Sequence, residues 1–94
     1  MPYILVRHKV LDVARWRAVF DVYEPERRAG GLEVVQVLKN RAEPLEVLVL
    51  CRTDDVEKSL RTMQAPGTNG IKQRAGVVGV PDVLLLDEVP PTAK

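Results

Sequence analysis

The sequence predicts an α+β domain of the ferredoxin-like kind, with its elements in the order βαββαβ. Three observations predict it. Four short runs of β-branched and aliphatic residues read as strands, two stretches carry helical periodicity, and a polar turn joins the middle two strands into a hairpin. At 94 residues the chain is the size of one ordinary domain, so residues 1–94 are expected to form a single unit.

Residues 3 to 10 read as the first strand. Tyr3, Leu5, Arg7 and Lys9 fall on one face, and Ile4, Val6, His8 and Val10 on the other. Asp12 offers a helix cap, after which Val13, Trp16, Val19, Phe20 and Tyr23 recur along one helical stripe, opposed by Arg15, Arg17 and Asp21. Pro25 deletes a backbone donor and crowds the preceding turn, which predicts a kink or an early end near Val22 to Glu24. Arg27-Arg28 suits a helix C-terminus, and Gly30-Gly31 supplies the left-handed stop.

Leu32 to Asn40 is expected as the second strand and Leu45 to Thr53 as the third, joined through Arg41-Ala42-Glu43-Pro44 as an antiparallel hairpin. Asp54 with Glu57 forms a capping box, and Val56, Leu60 and Met63 follow at one-turn intervals on a second helix. Ala65-Pro66-Gly67-Thr68-Asn69-Gly70 should interrupt that helix with a mobile segment, leaving a turn or two over Ile71 to Ala75, stopped by Gly76. Val77 to Pro81 reads as loop and Asp82 to Val89 as the last strand, closed by Pro90-Pro91, with a frayed tail over 90–94.

This order is the split βαβ arrangement. It is expected to place strands one and three side by side and parallel in the middle of a four-stranded antiparallel sheet, with both helices on one face. Val47-Leu48-Val49-Leu50 and Val83-Leu84-Leu85-Leu86 are apolar on both faces, as in sheets covered on both sides. No third layer exists in the chain, so a second copy laid sheet to sheet is the expected cover, giving a homodimer in the form of a dimeric α+β barrel. A chain this short buries only somewhat more than roughly 60% of its unfolded surface, which also favours association.

Composition narrows the function classes. An apolar fraction of 46% with 29% charged residues is the balance of a globular protein, and a formal charge of +1 is too small for a phosphate-binding face, so no nucleic-acid partner is expected. The apolar run after Met1 is shorter than a signal-peptide core or a membrane span, which points to the cytoplasm and to no membrane partner. One cysteine and one histidine leave no set of soft ligands for zinc or iron–sulfur, so no metal is expected. Gly-rich phosphate loops, paired catalytic carboxylates in a specifying context and Ser-His-Asp signatures are lacking too.

Arg7-His8-Lys9-Val10 followed by Asp12, Trp16 and Phe20-Asp21, with the closing Gln73-Arg74-Ala75-Gly76-Val77, Gly79 and Pro81-Asp82, gives the chain a resemblance. Over nearly its whole length it resembles small bacterial proteins of the dimeric α+β barrel superfamily, the group that includes antibiotic-biosynthesis monooxygenase-like and polyketide cyclase-like proteins. That resemblance implies a pocket between helices and sheet for a small aromatic or polyketide-like molecule, and no cofactor. Relatives that degrade haem carry an iron-ligating histidine on the second helix; this chain has none there, so haem is not expected. The chain departs from similar sequences at Pro25 and over Pro66 to Gly70.

His8 is the candidate catalytic residue, a general base at the pocket floor, because imidazole titrates near neutral pH and can take a proton from a carbon or a phenol. The plainer alternative is a structural histidine bonded to a backbone carbonyl. Trp16 and Tyr23 are the candidate ligand-binding residues, each with a flat ring and a polar tip, although such a stripe is usually core. Parallel first and third strands would bring Cys51 toward the same end of the sheet as His8, but a free strand cysteine is most often a small core residue. Two functions follow: a cofactor-independent cyclase or monooxygenase-like enzyme with His8 as base, or a non-enzymatic dimeric ligand-binding or stress-related module in which His8 is structural.

Overall fold

The computed structural model describes residues 2–65 and 67–92. β1 (Tyr3–Val10) leads into α1 (Val13–Val22), which Asp12 caps by accepting from the Arg15 N–H. The helix breaks at Tyr23, and α2 (Glu24–Ala29) starts afresh with Pro25 in its first turn. This is the break that Pro25 predicts: proline is tolerated where its missing N–H has no intrahelical partner.

α2 ends in a Schellman motif. Gly31, at φ +90°, donates to the Arg28 carbonyl at 3.0 Å, and Leu32 donates to the Arg27 carbonyl at 2.9 Å. Of the two glycines, Gly31 alone adopts the left-handed conformation. Gly30 is required by space instead, since a Cβ there would lie 2.4 Å from the Thr62 methyl of α3 (Val56–Gln64).

β2 (Glu33–Lys39) and β3 (Glu46–Arg52) form the expected hairpin, with a bulge between Val34 and Gln36. Asn40 holds its turn by donating from Nδ2 to Glu46 Oε1 at 2.7 Å while its Oδ1 accepts from the Ala42 N–H at 2.9 Å. The cap of α3 is Asp55 and not Asp54: the Asp55 carboxylate accepts from the Lys58 N–H at 3.0 Å. Thr53 sets that choice, because its hydroxyl folds back on the Asp55 backbone and accepts from the buried Ser59 hydroxyl at 2.8 Å, fixing where the helix begins.

The segment expected to interrupt the second helix is shorter than the breakers suggest. Pro66 lies outside the described residues, but α4 (Gly67–Ala75) is already helical at Gly67, four residues before the expected restart at Ile71. Thr68 supports that start by donating to the Ala65 carbonyl at 2.7 Å, so a local side-chain bond outweighs the low helix propensity of Gly67 and Gly70. Gly76, at φ +77°, ends α4 as expected.

β4 (Val77–Leu86) also departs from expectation, since Val77 to Pro81 joins the strand and the strand stops before Val89. Val77 and Val78 pair with Val10 and Lys9, the register then skips, and Asp82 to Leu86 pair with Arg7 to Tyr3. Gly79, at φ +73°, makes the skip possible, so part of the stretch read as loop is a bulge inside a strand.

The sheet order is β2-β3-β1-β4, with every neighbour antiparallel. β1 and β3 are central and adjacent as expected, but antiparallel, not parallel. The reason is topological: the helical crossover leaves β2 running with β1, and the hairpin then reverses β3. Ile4, Val10, Val47, Val49 and Cys51 on one sheet face form the core with Trp16, Leu32 and Ala75 from the helices and loop. The other face carries Leu5, Leu48, Leu50, Leu84 and Leu86, brought together by the registers Leu5↔Leu50 and Leu5↔Leu84.

Candidate functional site

A cavity of about 400 Å3 lies between the helices and the sheet. Val6, His8, Val49 and Cys51 form its floor, Trp16, Phe20 and Tyr23 line its α1 side, and Met63 of α3 with Ile71 and Lys72 of α4 complete the wall. The volume falls in the range of small-molecule sites, and the wall is mainly aliphatic and aromatic. Val80, 92% exposed, and Pro81 stand at its edge, carried there by the β4 bulge.

Strand alternation aims His8 inward. Ile4, Val6, His8 and Val10 share the helix-covered face, and the neighbours of His8 on this face are apolar. The register skip in β4 falls between Arg7 and Lys9, so His8 pairs with Val47 on β3 and has no counterpart on β4. Bulges re-aim side chains in this way. Both ring nitrogens are shielded from solvent and make no hydrogen bond among the described residues, so the backbone-carbonyl partner of a structural histidine is not there. Burial, reinforced by the positive charge of Lys72, pushes the His8 pKa down to about 4, which leaves the ring neutral at pH 7.

Trp16 and Tyr23 both reach the cavity. Trp16 is only 3% exposed and so serves core and wall together; its indole lies 4.7 Å from the Phe20 ring, nearly parallel to it. Tyr23 sits where α1 gives way to α2, and its hydroxyl accepts from Arg74 Nη2 at the end of α4. Arg15 ties the same two helices, donating from Nε to the Arg74 carbonyl at 2.8 Å, a cation at a helix C-terminus. The aromatic stripe is thus held in place from α4.

Cys51 does not approach His8. Antiparallel pairing sets Cys51 opposite Ile4 and His8 opposite Val47, four residues apart along the ladder or about 13 Å at the usual strand rise. They share a face and a cavity but lie toward opposite ends of it. Burial pushes the Cys51 thiol up to about 11, only weakly opposed by the charge of Arg27, so the thiol is protonated and unreactive.

Two wall residues were not singled out in the sequence. Arg27, assigned there to a helix end, lies with its guanidinium 3.6 Å from the Phe20 ring centroid and donates from Nη1 to the Phe20 carbonyl at 2.6 Å. Its Nε is buried without a partner. Lys72 projects from α4, where nothing in the sequence distinguishes it from a solvated helix lysine. Phe20, on the same helical stripe as Trp16 and Tyr23, lines the cavity as well. No three of the described His, Cys, Asp or Glu residues stand close enough together to hold a metal ion. No helix among the described residues is long and apolar enough to cross a membrane.

No family model matches the sequence, and no curated protein matches it. Solved structures do. A Bordetella bronchiseptica protein named as a candidate antibiotic biosynthesis monooxygenase matches at TM-score 0.76 and 15% identity, covering 95% of this chain and 97% of that one. SnoaB, a cofactor-independent oxygenase from Streptomyces nogalater, matches at TM-score 0.67 and 15% identity over 99% of this chain and 97% of its own. A Caulobacter crescentus protein, also a candidate antibiotic biosynthesis monooxygenase, matches at TM-score 0.70 and 18% identity over 95% and 90% of the two chains. With the four-stranded antiparallel sheet and its one helical layer, these likenesses show that the chain has the antibiotic-biosynthesis-monooxygenase-like fold.

Proposed function

We propose that the cavity binds a small, largely apolar or aromatic molecule and that His8 exchanges a proton with it, as in a cofactor-independent cyclase or monooxygenase-like enzyme. One observation carries the proposal: a neutral imidazole with both nitrogens unpartnered, on the wall of an apolar cavity of about 400 Å3. A buried polar group without a partner costs roughly 1 to 3 kcal/mol, so such a ring lining a ligand-sized space supports a ligand that completes its bonds by displacing the side chains that cover its nitrogens.

Neutral imidazole offers one N–H donor and one lone pair. The lone pair can accept a phenolic or enolic O–H, or the proton of an activated C–H. A base with a pKa near 4 is weak by itself, but the anion left behind would sit against the new imidazolium in a space of low dielectric, where their attraction is strong. Removal of such a proton makes an electron-rich carbon or oxygen, the species on which ring closure or reaction with dioxygen can proceed without a cofactor. Trp16 and Tyr23 would hold the ring of the bound molecule, Trp16 by its face and Tyr23 from the junction of α1 and α2.

The low pKa favours a second reading as well, a binding module in which His8 shares hydrogen bonds and transfers no proton. We place the site in a single domain working as a homodimer, its two sheets packed through Leu5, Leu48, Leu50, Leu84 and Leu86. The test is His8→Ala with a panel of aromatic and polyketide-like compounds: turnover of a compound by the wild type, lost in a folded variant, is expected. Turnover unchanged in the variant would remove His8 from the chemistry, and binding without turnover would select the module.

A further inference from the structure

We propose that the ligand of this cavity is an anion: a flat, mostly apolar acid whose ionised oxygen is held beside His8 by Lys72, with Arg27 receiving a second oxygen toward the Cys51 end. The inference rests on the cavity being a ligand site, as proposed above, and adds the charge of what it takes.

Lys72 and Arg27 are both half-buried on the wall, and neither forms an ion pair among the described residues. Surface cations lose little by standing alone, but partly desolvated ones are normally matched by a carboxylate. Arg7, Arg17, Arg28 and Arg52 each have one, and the other arginines without an ion pair among the described residues, Arg15, Arg41, Arg61 and Arg74, are exposed to water. Glu26 is the one carboxylate among the lining residues, and it is exposed at the rim. Asp21 and Glu24 act on Arg27 only from beyond ion-pair distance.

The second observation is geometric. Arg27 is not a floppy side chain that happens to reach the cavity: its guanidinium is stacked on Phe20 and its Nη1 is fixed by the Phe20 carbonyl. Its Nε is sealed from solvent without an acceptor, and its Nη2 makes no hydrogen bond among the described residues, which leaves Nη2 as the donor a ligand oxygen would meet. A fixed planar cation with an unused donor is the arrangement that recognises carboxylate and enolate oxygens.

Lys72 adds a reason why the charge belongs next to the base. The Lys72 ammonium and the His8 imidazole stand within each other's field, which opposes proton uptake by His8. An anion bound between them reverses the sign: it neutralises Lys72 and stabilises the imidazolium. The acid would then strengthen the base that acts on it, and neutral analogues would bind without doing so.

Three probes of one shape separate the possibilities: 2-naphthoate, neutral 2-naphthylmethanol and 2-naphthylmethylammonium, with binding measured by calorimetry and His8 followed by NMR. The expected result is naphthoate binding at least about tenfold tighter than the alcohol, with the His8 pKa raised by naphthoate alone. That preference should fall at least about threefold in Lys72→Met, which keeps the aliphatic stem, and in Arg27→Gln, folding being checked by circular dichroism. Alcohol or ammonium binding as tightly as naphthoate to the wild type would overturn the anion while leaving the ligand site standing. A preference unchanged in both variants would overturn the roles of Lys72 and Arg27. Failure of all three probes to bind would overturn the ligand site and this inference together.

Discussion

The His8 imidazole lies 5.4 Å from the Trp16 ring, centroid to centroid, tilted by 52°. The indole thereby forms a lid over the imidazole, and removing water from an ionisable ring is what makes its charged form costly. Folded protein should accordingly hold His8 neutral to well below the usual range, with an NMR midpoint near 4. A midpoint near 6.5 would mean that water reaches the ring freely.

The same burial gives stability a pH dependence. The His8 pKa is lowered on folding, so between about 6.5 and about 4 the unfolded chain binds a proton that the folded chain refuses. Stability should therefore be full above the upper value and decline by roughly 1 to 3 kcal/mol as pH falls through that window. Carboxylates titrate near its lower end too, so the quantity to measure is the difference between wild type and His8→Phe in urea unfolding. Equal slopes in the two proteins would refute the assignment.

Trp16→Ala should cost about 3 to 5 kcal/mol in chemical denaturation, because it empties a 3%-exposed site and removes the ring stacked on Phe20. It should also let the His8 pKa climb back toward 6.5, which simple core damage elsewhere would not do. A large stability loss with His8 unmoved would separate the two roles assigned to Trp16.

Cys51 should be alkylated slowly at neutral pH, at a rate untouched by His8→Ala, since its thiol is buried and its pKa is pushed up to about 11. Rapid modification by iodoacetamide, slowed by the His8 change, would restore a pairing that the antiparallel register argues against.

Leu84, 44% exposed on the sheet face away from the helices, is the position to test for the dimer. Light scattering should find the wild type as a dimer and Leu84→Lys as a folded monomer, because a charge placed in a sheet-to-sheet contact has no partner there. A wild-type monomer would leave an apolar leucine face open to water and would rule the pairing out.

Local signals carried most of the architecture. Pro25, Gly31 and Gly76 each impose a backbone requirement that few other residues meet, and each marks a boundary where expected. The misplacements arose where one local signal had two possible meanings. The Gly79 and Pro81 that make Val77 to Pro81 read as loop suit a bulged strand equally well, and only pairing with β1 decides between them. The capping-box spacing to Glu57 favours Asp54, and only the Thr53–Ser59 bond moves the cap to Asp55. In the site, His8 and the Trp16 stripe were visible through rarity and periodicity. Arg27 and Lys72 were not, because their environment depends on contacts between α1, α2 and α4 that no spacing encodes.

The bulge at Gly79 divides β4 into two lengths of strand that answer to different demands. Asp82 to Leu86 must keep register with β1, or every side chain beyond it changes face. Val80 and Pro81 are under no such constraint, yet they form the edge of the cavity. Changes at residues 80 and 81 can therefore widen, narrow or recolour the entrance while Gly79 keeps the bulge and the sheet, the imidazole and the aromatic wall stay where they are, so the same interior could be made to admit a different molecule.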